Sequence, residues 1–199
     1  MDSPQSLWLC EKISGGGIMK KEFIKLSSIL CIITLVAALL LAGVNKITAP
    51  RIAQAEEKAS KEAMLKIIPD ADSFVDLNEA VSAAKKGDEV IGYCVKVITT
   101  GYGGDISMMV GLDVEATVQG IEILSHSETA GLGAKITEES FKSQFKGKAP
   151  ILQVVKSETE NEGEITAITG ATVSSRGIAN GIKMSLDLVE KAIKEAESQ

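Results

Sequence analysis

Ile168-Thr169-Gly170-Ala171-Thr172-Val173-Ser174-Ser175 is the stretch on which the reading of this 199-residue chain turns. It is a small, hydroxyl-rich turn between two kinds of periodicity. Upstream, Gly163 to Ile168 reads as a short strand; downstream, Ile178, Ile182, Leu186, Val189 and Ile193 recur at helical spacing. The turn therefore feeds a helix N-terminus, where backbone N–H groups lack intrahelical acceptors and the positive end of the dipole favours a phosphate. Gly170 and Ala171 let a ligand approach the backbone closely, and Thr172 adds a hydroxyl that can be esterified. On residue types alone, an ordinary Ser/Thr cap after a strand accounts for the same stretch more simply.

The run Thr169-Gly170-Ala171-Thr172 resembles the [Ser/Thr]-Gly-Ala-Thr acceptor of the covalent FMN-binding domain. That domain occurs in the G subunit of Rnf ion-translocating oxidoreductases and in the C subunit of the sodium-pumping NADH:quinone reductase. The resemblance implies FMN tied through its phosphate to Thr172, a phosphoester modification, with Thr169, Gly170, Ala171 and Ser174 around it. Where the family usually has an acidic residue three positions before the first hydroxyl residue, this chain has Thr166.

A second stretch, His126-Ser127-Glu128-Thr129-Ala130-Gly131-Leu132-Gly133, resembles the family's His-x-Glu-Thr-Pro-Gly-Leu-Gly, with Ala130 in place of Pro. It precedes Thr172 in the family's order. The resemblance implies that Glu128, Thr129, Gly131, Leu132 and Gly133 lie at the flavin. Two glycines permit main-chain N–H groups to face a ring edge, while Glu128 and Thr129 offer hydrogen bonds. The Gly-x-Gly turn is no dinucleotide fingerprint, since Ile136 stands where the last glycine would be.

Most other chemistry is excluded by what the sequence lacks. Cys10, Cys31 and Cys94 form no C-x-x-C, and His126 is the only histidine, so neither a zinc site nor an iron–sulfur cluster is expected. His126 is read as a structural residue at a strand end. With no NAD fingerprint, P-loop or nucleophile–base pair, no catalytic residue is assigned, and the chain is not a complete dehydrogenase. It is expected to relay electrons as one subunit of an oxidoreductase.

By resemblance, that assembly couples ferredoxin:NAD electron transfer to Na⁺ or H⁺ translocation, and a flavin transferase loads the FMN. The short spacing between anchor and domain favours the Rnf G subunit over the quinone-reductase C subunit, which is usually longer. A membrane-anchored redox sensor, or a structural module without flavin, are the rival readings.

Charge and hydropathy place the chain at a membrane. Leu26–Val44 holds no charged residue over 19 positions, close to the ~20 needed to cross the hydrocarbon core. A cleaved signal peptide would have a shorter apolar region and a better cleavage site than one followed by Pro50. Lys20, Lys21 and Lys25 precede the span, and Lys46 and Arg51 follow it, a small bias towards a cytoplasmic N-terminus. The main domain is then extracytoplasmic. Residues 51–199 carry a net charge of −8, which argues against a nucleic-acid partner. Residues 1–18 look foreign to this plan, and Met19 is read as the native start.

The expected class is α+β: one transmembrane helix, then an FMN-binding domain with a mainly antiparallel sheet and flanking helices. The expected organisation is a cytoplasmic leader over 1–25, the span over 26–44, an extracytoplasmic linker and helix over 45–89, and the FMN-binding domain over 90–199. Within 45–89, residues 51–68 read as a helix, either a solvated stalk or one docked on neighbouring subunits; 70–72 and 80–87 read as loop and short helical pieces. Strands are expected over 90–98, 105–112 and 118–124, then a helix over 137–145 with Phe141 and Phe145 on the sheet. A hairpin of Ile151–Val155 with the strand entering Thr169 follows, and a final helix over 174–195.

Overall fold

The computed structural model describes residues 16–159, 161 and 163–197. Most of the expected leader, including Trp8 and Cys10, lies outside the described residues. The chain divides between Gln54 and Ala55 into two compact units.

The first unit is helical. Helix α1 (Gly16–Ile67) starts in it, with residues from Ala55 on belonging to the second unit, and contains the apolar run 26–44, whose side chains are exposed along its length, among them Leu26, Leu30, Leu39 and Leu41. A helix this long and apolar can cross a bilayer, where its backbone is satisfied internally and lipid covers its side chains. The span and the following helix read from the sequence are one element, because α1 continues through Pro50. One proline in a helix removes one backbone hydrogen bond.

The second unit is built on a five-stranded antiparallel meander. Its strands are β1 (Ser73–Asp76), β2 (Val81–Lys86), β3 (Glu89–Thr100), β4 (Asp105–Asp113) and β5 (Val118–His126), side by side in chain order. The class is α+β, as expected. β2 corrects the reading of residues 80–87, and β1 lies in a stretch to which no element was assigned. Val81-Ser82-Ala83-Ala84 has helical composition, but the segment pairs with β1 on one side and β3 on the other and is buried throughout. Strand preference reflects packing more than intrinsic propensity, so pairing and burial override the alanines.

Both faces of the sheet carry helices. One face packs Val95, Val97, Met108 and Val110 against Ile178, Ile182 and Val189 of helix α3 (Thr172–Glu197). The other packs Cys94 and Met109 against Ala63, Ile67 and Ile68 at the end of α1 and just beyond it. The neighbours Met108 and Met109 thus fill opposite cores, both fully buried, as a period-2 strand requires. Burial pushes the Cys94 thiol up to about 12, which makes it inert.

Two further readings are corrected. The helix expected over 137–145 is broken into a 3₁₀ turn (Gly133–Thr137), helix α2 (Glu139–Lys142) and a second 3₁₀ turn (Ser143–Phe145), because Glu138 is extended at φ −70°, ψ 139°. Phe141 and Phe145 do pack in the core, edge to face with ring centroids 5.2 Å apart. Strands β6 (Gln153–Val155) and β7 (Glu164–Thr166) pair in parallel, not as a hairpin. The described residues of the connection are pinned by Lys148, whose Nζ donates to the carbonyls of Asn161 and Glu164, and by the Glu164 carboxylate, which accepts from Thr159 Oγ1 at 2.7 Å and Asn161 Nδ2 at 2.9 Å. Those two side-chain hydrogen bonds hold the Glu164 carboxyl below its usual value.

Candidate functional site

β7 leads into a turn whose conformation only glycine adopts readily: Gly170 has φ +81°, and a Cβ there would lie 3.1 Å from Leu132 Cδ2. α3 then starts at Thr172, two residues earlier than expected. Ser175 closes the turn. Its N–H and Oγ each donate to the Ala171 carbonyl at 3.0 Å, and its Oγ accepts the Ile168 N–H at 3.0 Å. Ala171 occupies the cap position yet has no side-chain oxygen. The N–H groups of Thr172, Val173 and Ser174 consequently have no acceptor among the described residues. A helix start in this state carries partial positive charge and free donors.

These groups face a cleft of about 590 Å³, within the range of small-molecule sites. Its walls come from three parts of the chain. Residues 167–174 supply one continuous wall, Glu128, Thr129, Leu132 and Gly133 a second, and Tyr102 and Lys156 complete the lining. Of the residues singled out in the sequence, Thr169, Gly170, Ala171, Thr172, Ser174, Glu128, Thr129, Leu132 and Gly133 meet here, although the two stretches lie far apart along the chain. Gly131 does not line the cleft. It has φ +77°, and a Cβ there would meet nothing within 4 Å, so its part is to turn the backbone.

Glu128 differs in orientation from what the sequence suggested. It is 8% exposed, and both carboxylate oxygens are engaged inside the protein: Oε1 accepts the Tyr102 and Gly103 N–H groups at 2.7 and 3.2 Å, and Oε2 accepts from Ser174 Oγ at 2.8 Å. Gly133 makes room for it, since a Cβ there would collide with that carboxylate. His126 ends β5, and its Nδ1 accepts the Glu128 N–H at 3.1 Å, a structural role as expected. Thr166, at the family's acidic position, lies in β7; its N–H donates to Gln144 Oε1 and its hydroxyl is 3.5 Å from the Ser157 carbonyl, outside the cleft lining.

Sequence reasoning missed Tyr102, Lys156, Ala167, Ile168 and Val173 as lining residues. Ile168 and Val173 flank the acceptor run and could have been included. Tyr102, in the turn Gly101-Tyr102-Gly103-Gly104, and Lys156, after β6, belong to neither family-like stretch and carry no motif that would single them out. Lys156 is the only basic side chain in the lining and has no hydrogen-bond or ion-pair partner among the described residues. No group of metal-ligating side chains occurs among the described residues.

Comparison with known proteins finds two matching regions. The family described as the FMN-binding domain matches residues 101–187, and the RnfG N-terminal region matches residues 19–67. The G subunit of the proton-translocating ferredoxin:NAD(+) oxidoreductase complex of Clostridium ljungdahlii is 37% identical over 80% of this chain and 88% of its own length. The G subunit of the Na(+)-translocating ferredoxin:NAD(+) oxidoreductase complex of Acetobacterium woodii is 33% identical over 87% of this chain and 95% of its own. Among solved structures, the C subunit of the Na(+)-translocating NADH-quinone reductase from Parabacteroides distasonis is similar at 26% identity and a TM-score of 0.46, over 53% of this chain and 58% of that one. With relatives matched over nearly their full length, and with both regions recognised, the chain belongs to the G-subunit family of Rnf-type ion-translocating oxidoreductase complexes.

Proposed function

We propose that this chain is the flavin-bearing electron-relay subunit of an Rnf-type complex that couples ferredoxin:NAD electron transfer to Na⁺ or H⁺ translocation, with FMN held covalently on Thr172. The observation that carries the reading is the junction of the Thr172 hydroxyl with three unpaired N–H groups on one cleft wall. The residues present fit such a group. The N-terminal turn of α3 and the Lys156 ammonium would hold the phosphate; Thr172 Oγ would carry it as an ester; Leu132, Ile168 and Val173 offer apolar surface to a ring. When bound, the flavin supplies one- and two-electron transfer, while the protein supplies position and electrostatics.

The chain's own residues prepare that site before loading. Gly170 turns the backbone, Ser175 locks the turn and α3 directs its dipole into the cleft. Relatives named for proton and for Na⁺ translocation are both similar to this chain, and the other subunits of such a complex are its proposed partners. A flavin transferase is the proposed partner in maturation.

Lys20, Lys21 and Lys25 support a cytoplasmic N-terminus in the cell membrane and an extracytoplasmic main domain. Initiation at Met19 is supported by the match of the RnfG N-terminal region from residue 19. We retain the lipid contact over residues 26–44, and place the start of the flavin domain at the first strand, Ser73, rather than at residue 90.

The test is Thr172→Ala in the assembled complex. Flavin fluorescence of this polypeptide in a denaturing gel should vanish, and ferredoxin:NAD turnover should fall to background. Full turnover without the flavin would refute the relay role. External protease on spheroplasts should digest residues beyond about Arg51; a protected domain would reverse the orientation.

A further inference from the structure

We propose that Glu128 is a positioning residue that sets the width of the cleft, and that Tyr102 is the wall on which the flavin ring packs. This rests on the flavin reading above and goes beyond it, because it takes Glu128 away from the ligand and brings in a residue outside both family-like stretches.

A buried carboxylate is tolerated only when its oxygens are paired. Glu128 meets that need by joining two separate elements. Oε1 takes the Tyr102 and Gly103 N–H groups of the β3–β4 turn, and Oε2 takes the hydroxyl of Ser174 in the first turn of α3. Charge-assisted bonds of this kind are among the stronger hydrogen bonds available to a protein. The socket is built for it: a Cβ at Gly101 or at Gly133 would collide with the Glu128 carboxylate. Ser174 lies two residues after Thr172. One side chain therefore fixes the distance between the attachment residue and the Tyr102 turn.

Tyr102 shows the other half of the arrangement. Its backbone is pinned, by Glu128 and by the Gly101 N–H to Gly104 carbonyl bond at 2.8 Å across the turn, yet its side chain is 77% exposed at the cleft. A large aromatic on a pinned backbone but left uncovered contributes little to the core. It is placed to receive a flat ring, which aromatic side chains pack against in offset or edge-to-face geometry. Because the brace forms from the chain's own groups, the gap exists before the ligand arrives, so little ordering cost remains at binding.

The test uses the full-length protein carrying covalent flavin, with native flavin emission normalised to the flavin released from quenching by denaturation. An electron-rich phenol in contact with a flavin quenches its emission. Tyr102→Ala should raise the normalised emission severalfold. Glu128→Ala should do the same, and should also speed hydrogen exchange of the Tyr102 and Gly103 amides. Glu128→Gln should restore much of the quenching, since its carbonyl can accept those N–H groups and its amide can donate to Ser174 Oγ. Ser174→Ala cuts only the helix side of the brace; it should raise the emission while the two amides stay protected, and it serves if Glu128→Ala does not fold. Unchanged emission in Tyr102→Ala overturns the ring assignment. Unchanged emission and exchange in a folded Glu128→Ala, or unchanged emission in Ser174→Ala, overturns the brace. Wild-type protein without flavin would sink the flavin reading and the Tyr102 assignment together, and amide exchange would still decide the brace.

Discussion

The two faces of the sheet solve one problem in opposite ways. Each must bring a helix close to a pleated surface. On the site face the helix supplies the glycines: a Cβ at Gly177 of α3 would lie 2.7 Å from the Thr100 carbonyl oxygen, and one at Gly181 would collide with the Met108 methyl. On the other face the sheet supplies them. Gly111 and Gly120 are paired across β4 and β5 beneath Ile67, and a Cβ at Gly111 would collide with its Cγ2. The site face is also fixed by polar contacts, Thr99 Oγ1 to the Gly177 carbonyl at 2.9 Å and Ser174 to Glu128. The α1 face is apolar, with a rim of charge where Glu122 accepts from Lys142 at 2.7 Å and Lys66 at 3.0 Å. The face that carries the cleft is set in register by directional bonds, whereas the face that receives α1 is held by shape and burial.

The largest effect is expected where burial alone acts. Ile67→Ala empties the glycine pocket and should destabilise the domain by about 2–5 kcal/mol in chemical unfolding, with the flavin spectrum unchanged. A spectral change with little loss of stability would erase the distinction between the faces.

On the site face, Gly177→Ala meets backbone and should cost about 1–3 kcal/mol, with a shifted flavin spectrum because α3 must lift. Gly181→Ala collides only with the flexible end of Met108 and comes within 3.3 Å of Thr99 Cγ2, while alanine favours the helix by about 1 kcal/mol, so it should cost clearly less than Gly177→Ala. Equal costs would contradict the contact geometry.

The charged rim gives a smaller, pH-dependent effect. Burial pushes the Glu122 carboxyl up, but hydrogen bonds and charge from Lys142 and Lys66 outweigh it and hold the group below its ordinary 4.5. Lys142, 6% exposed, is displaced upward by the same pairing: burial lowers it, and Glu122 and Glu139 more than compensate. A depressed carboxyl stabilises the fold fully above its unfolded value and loses that contribution as pH falls through the folded one. Glu122→Gln should therefore cost about 1–2 kcal/mol at neutral pH, and the gap to wild type should close as pH drops below 4.5. A gap that persists in acid would mean that packing, not pairing, is at stake.

Gly131→Ala meets only the cost of left-handed backbone, about 1 kcal/mol, and should leave the flavin spectrum untouched. A changed spectrum would return Gly131 to the cleft.

Much of this was legible in the sequence. The apolar span, the β3–β5 meander and the helical stripe of α3 each follow one periodicity, and two family-like stretches brought nine of the ten named site residues to one cleft. What escaped depended on three-dimensional pairing. β2 is alanine-rich and becomes a strand only between two partners. β6 and β7 run parallel, held by Lys148 and Glu164, although the polar residues around 161–163 read as a hairpin turn. Glu128 looked like a ligand group because its type suits one, and only the positions of Tyr102, Gly103 and Ser174 show its oxygens turned inward. Tyr102 and Lys156 reach the cleft through loops whose paths composition does not encode.

The most direct test of the central claim is the mass of this chain, purified from its own membrane and mapped by peptides. The account predicts the polypeptide plus one FMN less one water, with the added mass on the peptide that contains Thr172 and absent after Thr172→Ala. An unmodified wild-type chain from an active complex, or a flavin on any other residue, would contradict it.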